Sequence, residues 1–263
     1  MSARRIVDFS QDWHVHSRFS DGTGSLEDNV AAAERLGLTL LGCVDHVRSD
    51  SSYVPAFAAA VEGLRASTEV KLIAGIEAKL LDDGGTLDLP RGRVPEGIDL
   101  VVIADHQVPS PEGPCDPDAV REAIAGGDLD PAVVADWIVV ATVRALARHP
   151  GALIAHLFSV LPKTGLALSA VTREQLTSIV RAAARSGATL EVSERWRTPS
   201  SVILSAFARA GVRVVASTDA HRPGDIGRYR YCRAVVMQTD AGLPARYPTY
   251  VPTSWRAHSI PPP

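Results

Sequence analysis

The stretch DWHVHSRFSDG, residues 12–22, sets His14 and His16 one residue apart and follows them with Asp21 in a turn. Side chains alternate along a strand, so positions i and i+2 face the same way, about 7 Å apart. Two imidazoles converging from one face suit a metal clamp; the competing reading is two polar residues on a wet surface. The chain has only 8 histidines in 263 residues, and where the others fall separates the two. His46 closes GCVDH, Glu77 closes LIAGIE and His106 closes VVIADH. His156 follows ALIA, and Asp219 and His221 end VVASTDAH with the spacing of the first pair. Gathering nine such groups in a fold without cations would leave unpaired charge and unmet hydrogen bonds costing several kcal/mol. Divalent cations remove that cost. Imidazole and carboxylate without thiolate suit Zn, Mn or Fe, and nine ligands match two or three ions.

The elements that must position these residues follow from periodicity. DWHVH opens as a strand, and SLEDNVAAAERLG reads as a helix with Ser25 as N-cap and Gly37 as stop. Residues 38–44 form a buried strand, and a helix runs from Val54 to about Ser67. Residues 70–80 form a strand that passes through the DDGG turn signal into a hairpin. Further strands fall at 99–106, 152–158, 188–194 and 212–221, with helices near 117–126, 131–148, 172–186 and 199–210. Seven β-then-α units predict parallel strands with helical crossovers, in an α/β fold best packed as a closed or nearly closed barrel. An open doubly wound sheet is the competitor. In either, chemistry sits where strands end and helix-leading loops begin, which is where the nine ligands fall. Two histidines do not fit that pattern. His149 lies in the last turn of a helix, where a cation suits the dipole. His258 lies in a Pro-rich stretch, residues 240–263, that follows the barrel of residues 1–239.

Composition excludes other classes. Apolar residues at 46% and charged ones at 22% are ordinary globular values. A net charge of −3 gives no electrostatic footprint for a nucleic acid duplex or an anionic membrane. Cys43, Cys115 and Cys232 are widely spaced with no C-x-x-C, which argues against a disulfide framework and fits a reducing compartment. MSARRIVDFS lacks an apolar signal core, and no apolar run approaches the ~20 residues of a membrane span. A cytoplasmic location is expected; composition leaves the oligomeric state open.

DWHVHSRFSDG, CVDH, GIE, ADH, AH and STDAH, in that order, resemble the polymerase-and-histidinol-phosphatase (PHP) domain family from about residue 10 to 235. The resemblance implies a distorted seven-stranded (β/α) barrel with a trinuclear metal centre. It places His14, His16, Glu77 and Asp219 on one ion, with Glu77 bridging to a second held by His106 and His156. Asp21, His46 and His221 take the third. The sequence departs from the family's habit at Trp13, where an aliphatic residue is usual, and at Leu157, where proline is common. SERWRTPS (193–200) replaces an Asn-containing segment. No departure removes a ligand; all three bear on the substrate.

The reaction such ions serve best is hydrolysis of a small phosphate monoester by a metal-activated hydroxide, with no protein nucleophile. The expected partner is a small phosphorylated metabolite, histidinol phosphate or a nucleotide among them. A phosphodiester, an amide or a cyclic amidine is the alternative within enzymes; a metal-stabilised accessory domain is the alternative outside them. Asp12, two residues before His14, is expected to share its strand face and orient an imidazole. Asp45 and Asp105 each precede a ligand and are weaker candidates, because adjacent strand residues face opposite ways. Phosphate calls for a fork of donors. Arg18, Arg48, Arg195, Arg197, Arg222 and Arg228 lie in the right loops, Arg48 and Arg222 first among them. Trp196 offers a stacking wall.

Overall fold

The computed structural model describes residues 6–240. Seven strands form one all-parallel sheet: β1 (Gln11–Val15), β2 (Leu40–Val47), β3 (Lys71–Lys79), β4 (Leu100–Ala104), β7 (Leu153–Ile154), β8 (Thr189–Ser193) and β9 (Arg213–Ser217). They lie side by side in chain order. The sheet nearly closes, joined by one parallel bridge between Val15 and Ala220 and a hydrogen bond from the His16 amide to the Ala220 carbonyl at 2.9 Å. The nearly closed (β/α) barrel is therefore the packing adopted, and the open sheet is excluded. A two-stranded hairpin, β5 (Val108–Ser110) and β6 (Gly113–Cys115), follows β4 and was not expected.

Helices α1 (Leu26–Arg35), α2 (Val54–Arg65), α3 (Pro117–Gly126), α4 (Pro131–Arg148), α5 (Arg173–Ser186) and α6 (Ser201–Arg209) fall where periodicity puts them. Their ends follow local chemistry. Ser25 and Asp28 close a reciprocal capping box on α1, as Thr172 and Gln175 do on α5. Asp116 and Asp130 cap α3 and α4 just before a proline at the first helical position. A seventh helix, α7 (Tyr231–Asp240), was not anticipated. Of the Pro-rich stretch only Asp240 is described; the rest, with His258, lies outside the described residues.

Alternation along the strands sorts the core into an inside and an outside. Trp13, Leu40, Val44, Ile73, Val102, Leu153 and Val215 meet within the barrel. Leu41, Cys43, Leu72 and Ala74 instead pack outward with α1 and α2 residues such as Val30 and Phe57. The unusual Trp13 is one of the interior fillers; its indole N–H bonds the Gln11 side chain at 2.9 Å and the Arg213 guanidinium lies 4.4 Å over its ring. The close approach of the β1 backbone at Trp13 explains Gly42 on β2, where a Cβ would come within 2.2 Å of the Trp13 carbonyl oxygen.

Two strands are shorter than expected. The segment at 152–158 is strand only over Leu153–Ile154, and that at 212–221 over Arg213–Ser217, with the single Ala220 bridge beyond it. Beyond those points His156 and Asp219 take φ of 28° and 51°. Such values cost a non-glycine residue about 1–3 kcal/mol and end a strand by turning its backbone. Both residues are candidate ligands.

Candidate metal centre

Each strand delivers its polar residue at the carboxyl mouth of the barrel. On β1 the register slips between Asp12 and Val15: these pair with Leu41 and Cys43, so three steps on β1 match two on β2. The extra residue is a bulge, and it re-aims the side chains. Asp12 and Val15 face outward, while Trp13, His14 and His16 face the interior. The expectation that Asp12 shares His14's face is thereby corrected. Asp12 accepts hydrogen bonds from the Thr218 amide (2.9 Å), the Thr218 hydroxyl (2.6 Å) and the Gly227 amide (3.0 Å), and ties down the loop that carries Asp219.

The nine candidate ligands meet. Glu77 lies at their centre: its Oε1 is 3.0 Å from His156 Nε2 and 3.2 Å from His106 Nε2. Its Oε2 is 2.8 Å from His46 Nδ1 and 3.5 Å from both His14 Nε2 and His16 Nε2. Asp219 Oδ1 lies 3.1 Å from His16 Nε2, and Asp21 Oδ2 lies 3.2 Å from His221 Nε2 and 3.4 Å from His46 Nε2. Three groupings bring ligand atoms within 4.8 Å of one another: His16, Asp21, His46 and His221; His14, His16 and Asp219; and His46, Glu77 and His106. They overlap the three-ion division that the resemblance implies without matching it everywhere. His16 also reaches the Asp21 group, and His46 stands where His156 was expected.

Whether these residues fit metal ions is answered by their unmet polar atoms. His14 Nε2, both ring nitrogens of His16, Glu77 Oε2 and Asp219 Oδ1 are buried without a hydrogen-bond partner. Each such atom costs about 1–3 kcal/mol. His14 Nε2, His16 Nε2, Glu77 Oε2 and Asp219 Oδ1 face one another, and a cation among them would satisfy those four together; His16 Nδ1, on the other side of its ring, faces Asp21 Oδ1 at 3.5 Å. The donor set fits Zn, Mn or Fe.

Electrostatics without ions is correspondingly strained. Burial raises the carboxyl of Glu77, yet His14 and His106 outweigh it and hold Glu77 well below the usual range. Burial likewise opposes the charge on His14, but Glu77 and Glu191 hold its imidazolium well above its ordinary value. His156, against the same burial, is raised to about 10 by Asp105 and Glu77. His16 goes the other way, to about 4, because burial dominates.

Residues around the ligands divide clearly. Glu191, on β8 and fully buried, contacts His14 Nδ1 at 2.9 Å; the sequence reading passed over it. Its only signal was a single acid inside the apolar strand ATLEV, at an inward-facing alternate position. Asp105, ranked low, does touch an imidazole: it lies 3.3 Å from His156 Nδ1 and accepts from the Ser159 hydroxyl at 2.7 Å. Asp45 faces away from the centre, as adjacency requires, and accepts from the Ser17 amide and hydroxyl at 3.0 and 2.6 Å. His149 caps α4, but burial first and then Arg148 lower its pKa, so it is not the expected helix-end cation.

A cavity of about 240 Å³ opens over the centre, lined by Asp21, His46, His106, Arg195, Trp196, Asp219 and His221. Of the six arginines singled out, only Arg195 lines it, with Nη1 3.2 Å from His221 Nδ1. Arg48 and Arg222, ranked first, are exposed and outside the lining, as are Arg197 and Arg228. Arg18 turns to the Thr23 carbonyl at 2.7 Å. Trp196 is in the wall: its indole N–H donates to Asp219 Oδ2 at 2.7 Å, its ring lies 5.2 Å from that of His156, and Lys163 Nζ sits 4.4 Å over it. Lys163 was not foreseen.

Imidazoles and carboxylates at the carboxyl mouth of a seven-stranded parallel barrel define a class, the metal-centred (β/α) barrels of PHP type. The family model for the PHP domain matches residues 12–195, and the chain belongs to that family. Among solved structures it is similar to a histidinol phosphate phosphatase from Lactococcus lactis subsp. lactis Il1403, a structure complexed with zinc, L-histidinol and phosphate. The TM-score is 0.60 at 18% identity, over 87% of this chain and 93% of that one. No curated protein matches the sequence.

Proposed function

We propose that the protein is a metal-dependent phosphoesterase that hydrolyses a small phosphate monoester. The observation that carries this reading is the set of buried, unpartnered ligand atoms of His14, His16, Glu77 and Asp219 converging beneath an open cavity. His14, His16, Glu77 and Asp219 would hold one ion, Glu77, His106 and His156 a second, and Asp21, His46 and His221 a third. Divalent ions bound there would neutralise charge on a phosphoryl group and lower the pKa of a water molecule. Arg195, the one arginine in the cavity wall, would take phosphate oxygens through its guanidinium fork. Trp196 would limit the leaving group with its ring while its N–H steadies Asp219. The zinc, histidinol and phosphate of the Lactococcus lactis complex support a small phosphorylated substrate of this kind, histidinol phosphate being the first to try. Among the described residues no helix is long and apolar enough to cross a membrane.

The test is a phosphate-release screen of phosphorylated metabolites and aryl phosphate with the zinc- or manganese-loaded protein, before and after chelation. Hydrolysis that chelation abolishes and metal restores is expected. Activity surviving complete removal of metal would overturn the mechanism. Hydrolysis of phosphodiesters or cyclic amidines alone would replace the substrate class.

A further inference from the structure

We infer that Glu191 is a positioning residue that fixes the tautomer of His14, so that its Nε2 faces the metal centre with a free lone pair. The inference deepens the metal-dependent reading above and rests on it. Glu191 Oε2 accepts from the His156 backbone amide at 2.6 Å. Its Oε1 is 2.5 Å from the Ser217 hydroxyl, which donates to it, and 2.9 Å from His14 Nδ1. Both oxygens of Glu191 already accept, one from the His156 amide and one from the Ser217 hydroxyl, so the proton of the third contact belongs to His14 Nδ1. Nε2 is left as the ligating nitrogen, and it is the unpartnered atom that faces Glu77 Oε2 at 3.5 Å. His16, by contrast, has no hydrogen-bond partner on either ring nitrogen. Glu191 thus holds the proton of one ligand on Nδ1, leaving Nε2 for the metal, and ties together β1, β9 and the loop after β7 while doing so.

The arrangement makes a specific prediction for Glu191→Gln. The His156 amide must still find an acceptor, so the amide oxygen of the glutamine takes the Oε2 place. Its NH2 then falls at the Oε1 place, where it donates to Ser217 Oγ and to His14 Nδ1. His14 is forced to carry its proton on Nε2, and the ligating lone pair turns away from the centre. Shape is kept and the tautomer is inverted.

The experiment uses the full-length zinc-loaded protein and its Glu191→Gln and Ser217→Ala variants. Zinc affinity is measured by competition with a chromophoric chelator, and the His14 ring nitrogens by two-dimensional ¹H–¹⁵N correlation. Wild type is expected to show His14 protonated at Nδ1. Glu191→Gln should bind its tightest zinc, the inner one beside His14, about 10–100-fold less tightly, the range typical of a lost partner behind a ligand, with His14 protonated at Nε2. Ser217→Ala, which leaves the Glu191–His14 contact in place, should bind zinc as wild type does. His14 protonated at Nε2 in the wild-type protein overturns the inference even if Glu191→Gln fails to fold. So does a folded Glu191→Gln that holds zinc as tightly as wild type. A wild type that takes up no metal at all instead defeats the functional reading, and this inference with it.

Discussion

The floor and the rim of the barrel mouth are built from the same residue types on different principles. On the floor, His14, His16, His156, Glu77 and Asp219 are buried, and two of the three imidazoles are backed by a carboxylate outside the nine, Glu191 behind His14 and Asp105 behind His156. At the rim, the side chains of Asp21, His46 and His221 are 51%, 33% and 17% exposed. They contact one another at 3.2 and 3.4 Å, and His46 also reaches down to Glu77 at 2.8 Å. His14 and His156 on the floor are therefore held in place by protein partners, whereas the rim ligands would have to be gathered by an ion. Pre-organisation costs stability, since each buried polar atom there awaits a cation. The difference predicts a tightly held inner ion and a more readily exchanged outer one.

Glu77 joins the two zones, because its carboxylate lies within 3.5 Å of floor and rim imidazoles alike. Glu77→Gln gives the largest effect. Elemental analysis should show loss of the inner metal and weakened retention of the outer. Phosphate release should fall on the order of a thousandfold or more, the equivalent of the several kcal/mol that ions contribute to the transition state. Full metal content in this variant would show that floor and rim do not depend on Glu77.

The sequence reached the mouth of the barrel more easily than what lies behind it. Strand-end ligands are legible because β/α alternation announces where each parallel strand stops, and a histidine or acid at that point departs from an apolar run. The bulge on β1 is not legible: Trp13 and His14 both turn inward, and nothing in WH announces an extra residue. That slip sent Asp12 to the Thr218 loop and left the support of His14 to Glu191, 177 residues further on. Asp105 was misjudged for a related reason. Alternation correctly turned it away from His106, but it says nothing about the neighbouring strand's loop, which brings His156 to it. Arginines were ranked by closeness in sequence to ligands, and long exposed side chains do not obey that measure; Arg195 reaches the cavity while Arg48 and Arg222 do not.

Removing one ligand from each zone sharpens the contrast through stability. His14→Ala takes the partner from two buried carboxylates, Glu77 and Glu191. Breaking a buried pair on one side costs about 3–5 kcal/mol. His221→Ala removes a contact to the half-exposed Asp21 and should cost about 1 kcal/mol or less. Urea denaturation of the metal-free proteins checks both values. Equal losses would erase the distinction between floor and rim.

The last test concerns Asp45, which serves the rim from behind by holding Ser17 and Ser20 in the loop that carries Asp21. Burial raises its carboxyl from 3.8 to about 6, in spite of the hydrogen bonds from Ser17 and Ser20. Between those two values the folded protein binds a proton that the unfolded chain has released. Stability from this group is therefore lost as pH rises from about 4 to about 6, and it is flat above. Asp45→Asn removes that slope. It also keeps an acceptor for the Ser17 amide and the Ser20 hydroxyl, which share one oxygen, and the Ser17 hydroxyl can rotate to accept from its NH2. Relative to wild type the metal-free variant should thus gain up to about 3 kcal/mol between pH 4 and pH 7, the equivalent of a shift of about two pK units. Denaturation midpoints at pH 4, 5.5 and 7 measure the gain. A constant difference across the range would mean that Asp45 ionises in the fold as it does in the open chain, and that the support behind the rim is as wet as the rim itself.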